Sequence, residues 1–84
     1  MNKYQNELKK FRPLDDIQDY YTTKQDKGYY FIPTASHGFL VVPTSDKNYV
    51  KALEIKGKDS YGYQGSQAIY LEEDCQALDF LKQV

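Results

Sequence analysis

The sequence predicts a small α+β domain: an antiparallel sheet of two hairpins with helices packed on one face. Two pairs of aromatic and β-branched runs, each pair joined by a polar glycine-bearing connection, predict the hairpins. Stretches with apolar residues at helical spacing lie before, between and after them, and each such stripe needs an apolar face to cover. With 84 residues the chain has interior for one core, so residues 1–84 are read as a single domain: a helical part over 1–27 and a hairpin-helix-hairpin-helix part over 28–84.

Tyr4, Leu8 and Phe11 recur at helical spacing between polar residues, which predicts a helix over 3–11, closed by Pro13. Leu14, Ile17 and Tyr20 or Tyr21 repeat the spacing, with Asp15 and Asp16 where acidic groups favour a helix start, so 14–22 is read as a second helix. The polar run Thr22 to Lys27, ending in Gly28, reads as a connection. Tyr29 to Ile32 and Phe39 to Val42 then form the first hairpin around Pro33 to Gly38, with Pro33 and Pro43 closing the runs because neither has an N–H for the ladder. Ser45 or Asp46 can cap a helix over 47–54 that buries Tyr49, Val50 and Leu53 and ends at Gly57. Tyr61 to Tyr63 and Ala68 to Leu71 flank the connection Gln64 to Gln67 as the second hairpin. Ala77, Leu78, Leu81 and Val84 mark a final amphipathic helix, with Glu73 and Asp74 in its first turn.

Composition narrows the function classes. Eleven basic and twelve acidic residues give a net charge of −1, which supplies no basic footprint for direct nucleic-acid binding or an anionic membrane. The C-terminal half is mildly acidic, most densely at Glu72, Glu73, Asp74 and Asp79. One cysteine, Cys75, excludes an internal disulfide. No apolar run approaches a membrane span, and no secretory leader is evident, so a cytoplasmic protein is expected. Glycine patterns that cradle phosphates are absent, and no cofactor is expected.

Ile, Leu, Val and Phe make up under a quarter of the chain, and nine tyrosines supply the missing apolar area. Tyrosines with a polar tip either pave the rim of a thin core or stay exposed as binding anchors. Tyr29, Tyr30, Tyr61 and Tyr63, together with Glu72, Glu73, Asp74 and Asp79, are therefore the candidate partner-binding residues.

The remaining chemistry-bearing residues each have two readings. His37, the only histidine, is a general base or a turn residue before Gly38. Cys75 is a nucleophile paired with His37 and activated by a helix N-terminus, or, given its spacing to Leu78 and Leu81, a buried core residue. Glu72, Glu73 and Asp74 hold a divalent cation or form a solvated helix start; adjacent acids point in different directions, which favours the second.

The stretch Thr34-Ala35-Ser36-His37-Gly38-Phe39-Leu40-Val41-Val42-Pro43, then Ser60-Tyr61-Gly62-Tyr63, then Ile69-Tyr70-Leu71-Glu72-Glu73-Asp74-Cys75 with Phe80, resembles a family of small uncharacterised domains in bacterial plasmid and phage proteins. The likeness covers about residues 30–83, and Gly62 stands where that family more usually has serine. It implies a mobile-element origin and no particular catalysis. The expectation is a non-enzymatic protein-binding module engaging a host protein or nucleoprotein complex; an inhibitor of a host defence complex, such as an anti-CRISPR protein, fits the size, acidity and implied origin. The alternatives are a small enzyme or enzyme accessory domain using His37 and Cys75, and a self-associating structural protein in which a homodimer completes the thin core.

Overall fold

The unbroken apolar runs 39–42 and 68–71 place apolar side chains on both faces of a sheet built from them, so both faces need cover. A computed structural model, which describes residues 3–12, 17, 23–24, 28–34, 37–58 and 60–84, supplies that cover from two sides. The elements run α1 (Lys3–Phe11), β1 (Thr23–Lys24), β2 (Tyr30–Pro33), β3 (Gly38–Pro43), α2 (Tyr49–Lys56), β4 (Tyr63–Gln64), β5 (Ala68–Glu72) and α3 (Gln76–Gln83). Their strands form one antiparallel sheet in the order β1-β2-β3-β5-β4. The α+β class and both hairpins are as the sequence predicts. The hairpins join through β3 and β5, whose register sets Phe39 against Glu72, Leu40 against Leu71 and Val41 against Tyr70.

Leu40, Val42, Ile69 and Leu71 face α2 and α3, forming a core with Ala52, Ile55, Ala77, Phe80 and Tyr29. Helices on one face describes this side. Phe39, Val41, Ala68 and Tyr70 point the other way and bury against Ile32, Ile17 and Leu8 of α1. The second face is held by a buried carboxylate. Glu7, 7 % exposed, accepts hydrogen bonds from the Tyr70 hydroxyl at 2.8 Å, from the Ser66 N–H and hydroxyl at 2.8 Å each, and from the Gln67 N–H at 3.0 Å. Burial by itself raises the Glu7 pKa; the bonds from Tyr70, Ser66 and Gln67 outweigh it and hold the carboxyl below its ordinary value. Burial, then the hydrogen bond to the Glu7 carboxylate, pushes the Tyr70 hydroxyl far up. Gly65 is required here because a β-carbon would overlap the Glu7 carboxylate.

Several local expectations shift. The helix expected over 14–22 lies outside the described residues except for Ile17, which is buried. The Thr22 to Lys27 connection contains β1, whose Thr23 and Lys24 pair with Phe31 and Tyr30. The middle helix starts at Tyr49 rather than Lys47; Ala52 and Ile55 are its buried residues, Tyr49 and Leu53 pack half-buried against the same core as expected, and Val50 turns outward at 65 % exposure. Asp46 does not cap it: its Oδ1 accepts the Asn48 N–H and the Tyr29 hydroxyl, each at 2.8 Å, bracing the turn before the helix. In α3 the buried stripe is Gln76, Ala77 and Phe80, so Leu78 turns outward at 55 % exposure, and Glu73 and Asp74 sit in the turn ahead of the helix.

Candidate functional site

Two surfaces flank the turn after β5, one on each side of the sheet. The first is a cleft of about 280 Å³ whose walls mix charged, polar and aromatic groups. Its construction follows from strand pairing. The β3–β5 register places Glu72 opposite Phe39, and the Glu73 N–H donates to the Gly38 carbonyl at 3.0 Å, bringing the start of β3 beside the end of β5. His37 immediately precedes Gly38. Its loop is pinned because the His37 N–H donates to the Thr34 hydroxyl at 3.0 Å while the His37 carbonyl accepts the Thr34 N–H at 2.6 Å. His37 Nδ1 therefore lies 3.6 Å from Glu72 Oε1. Glu72 Oε2 accepts the Asp74 N–H at 3.2 Å, which orients the carboxylate. One ligand atom each from His37, Glu72 and Asp74 falls within 4.8 Å of the others.

The opposite wall comes from the segment ahead of β4. Buried Gln76 donates from Nε2 to the Tyr61 carbonyl at 2.8 Å and accepts the Glu72 N–H at 3.1 Å, clamping Tyr61 to the end of β5. Gly62 has φ +71, and a β-carbon there would collide with Gln76 Oε1 and the Tyr70 carbonyl. No hydroxyl-bearing side chain fits at this position without displacing the clamp. Tyr63 stacks on Phe11 at 5.0 Å, tilts against Phe39 at 5.7 Å and accepts from Arg12 at 3.0 Å.

The second surface is an apolar groove of about 320 Å³ on the other side of the sheet, lined by Phe31, Leu40, Ala77, Leu78 and Leu81 with Glu73 at its rim. Gly38 stays open so that the Phe31 ring can lie across it.

The residues singled out from sequence divide between these places. Tyr61, Tyr63, Glu72 and Asp74 converge on the cleft, Glu73 borders the groove, and Asp79 is half-buried on α3. Tyr29 is buried instead of exposed: its ring packs edge-on against Phe80, and its hydroxyl donates to Asp46 and accepts from Asn48. Burial, its leading cause, raises its pKa. Glu72 is likewise buried, because its position in the β5 alternation places it on the face under Phe39. Tyr30 and Tyr61 are exposed but line different depressions, so the expected tyrosine patch is dispersed. Cys75, read as a core residue, is exposed at the N-cap of α3 and lines the cleft with His37, since the buried stripe begins one residue later. Sequence reasoning missed Phe31, Leu78 and Arg12 as surface groups; Leu78 falls within the apolar stripe predicted for the last helix, so nothing local marks it as exposed.

Among the described residues no helix is long and apolar enough to cross a membrane. Comparison with family models, curated proteins and solved structures found no match.

Proposed function

We propose that this chain is a non-enzymatic protein-binding module whose partner seats an apolar side chain in the groove beside α3, next to a basic group that faces Glu73. The observation that carries the reading is Leu78. A large apolar side chain 55 % exposed on an otherwise amphipathic helix continues the apolar wall formed by Phe31, Leu40, Ala77 and Leu81. Such a concave apolar strip with a charged rim has the anatomy of a small interface: the apolar centre contributes affinity and the rim charge orients the partner. A host complex targeted by a phage or other mobile element, including a defence complex, is the partner class suggested by the family resemblance and the acidic C-terminal half.

The test is affinity capture with wild-type, Leu78→Asp and Glu73→Lys baits at low and high salt, alongside sedimentation of the purified chains. The expected result is one stoichiometric partner held by wild type, lost with Leu78→Asp and weakened both by salt and by Glu73→Lys. An unchanged partner set with Leu78→Asp refutes the groove. A wild-type dimer that Leu78→Asp converts to monomer replaces this reading with self-association.

The cleft favours a second reading, a small enzyme or accessory domain, because exposed Cys75 and His37 share it. That reading requires Cys75 to react with an alkylating reagent in the folded protein faster at neutral pH than a free thiol, and to lose that excess in His37→Ala.

A further inference from the structure

We propose that His37, Glu72 and Asp74 form a site for one divalent transition-metal ion, with zinc the cation that best fits the donors. This goes beyond the protein-binding reading and concerns the opposite side of the sheet. The three residues come from the loop before β3, the end of β5 and the turn after it, which the β3–β5 pairing holds together, and one donor atom of each lies within 4.8 Å of the others. In a tetrahedral zinc site, metal–ligand distances of about 2.0–2.2 Å put neighbouring ligand atoms roughly 3.3–3.6 Å apart. His37 Nδ1 and Glu72 Oε1, at 3.6 Å, already have that separation. Asp74 is exposed, so its side chain can turn to close the remaining gap.

Glu72 supplies an independent reason. Its side chain is only 9 % exposed, and while Oε2 is fixed by the Asp74 N–H, Oε1 points at His37 from beyond hydrogen-bond length. A buried carboxylate oxygen facing an imidazole nitrogen across such a gap is costly as it stands and is satisfied by a cation between them. One imidazole and two carboxylates suit zinc and its neighbours better than calcium or magnesium, which take all-oxygen sets of higher coordination number. Three protein donors at the wall of an open cleft leave a fourth position for water or a ligand, and Cys75 lines the same cleft.

The test is calorimetric titration of the tag-free full chain with zinc chloride near neutral pH, with the visible absorption of the cobalt-substituted protein as a second readout. Expected are one ion per chain and affinity at least about tenfold weaker in both His37→Ala and Asp74→Asn. Glu72→Gln alters a buried group and can loosen the fold; Asp74→Asn changes an exposed one and is the discriminating variant. Absence of zinc binding at millimolar metal, binding unchanged in His37→Ala and Asp74→Asn, or displacement by equimolar magnesium overturns the proposal.

Discussion

Replacing Glu7 by alanine tests what fixes α1 to the sheet. The Glu7 carboxylate is the acceptor for the Tyr70 hydroxyl, the Ser66 N–H and hydroxyl, and the Gln67 N–H. Ser66 and Gln67 are exposed, so water replaces the lost acceptor, and each forfeits about 0.5–1 kcal/mol of net hydrogen bonding. Tyr70 is fully buried, and its orphaned hydroxyl carries a desolvation penalty of about 1–3 kcal/mol. Together these give about 3 kcal/mol, a large share of the roughly 4–13 kcal/mol expected for a domain of this size. The assay is urea unfolding followed by circular dichroism, and a loss of about 3 kcal/mol corresponds to a fall in Tm of about 12–24 °C. The sign with pH follows from the depressed Glu7 pKa. The unfolded chain takes up the proton at higher pH than the folded one, so the carboxylate's contribution is fully present above the ordinary glutamate range. It is lost as pH falls through the folded value, and the gap between wild type and Glu7→Gln must narrow with acid over that window. A loss below about 1 kcal/mol in Glu7→Ala, or a gap independent of pH, refutes the account.

Two further outcomes follow from the same packing. Tyr70 and Tyr29 have raised pKa values, chiefly through burial, so in an alkaline spectrophotometric titration they resist ionisation above the ordinary tyrosine value of about 10. The folded chain then holds more protons than the unfolded one, so stability falls as pH rises above that point and the last tyrosines ionise together with unfolding; fully reversible titration of all nine near pH 10 counts against it. Gly62→Ala combines a left-handed backbone with overlap on Gln76 and the Tyr70 carbonyl, and is expected to cost more than about 2 kcal/mol in thermal or urea unfolding, whereas Gly28→Ala, with open space around it, costs only the backbone term of about 1 kcal/mol.

Sequence alone determined the elements whose cause is local. Runs such as Phe39 to Val42 and Ala68 to Leu71 become strands because short, aromatic and β-branched apolar runs suit a pleated surface, and the glycines and prolines at their ends turn the chain. Helical spacing located α1 and α2 to within two residues and found α3 while starting it about a turn early, since an amphipathic stripe is visible wherever its period is kept. What it left open was direction. Leu78 and Val50 fit an apolar stripe as well as Phe80 and Ile55 do, and only the packing of α2 and α3 on Leu40, Val42, Ile69 and Leu71 decided which residues turn inward. The cleft was hidden for the same reason: His37 and Glu72 are distant along the chain, and nothing local announces that the β3–β5 register brings them within 3.6 Å. Glu7 is the clearest case, an acid on a polar helix face in sequence, made the centre of a buried network because the β4–β5 turn folds over it. Local periodicity reports which side of an element is apolar; the pairing of distant strands decides which polar groups must meet inside.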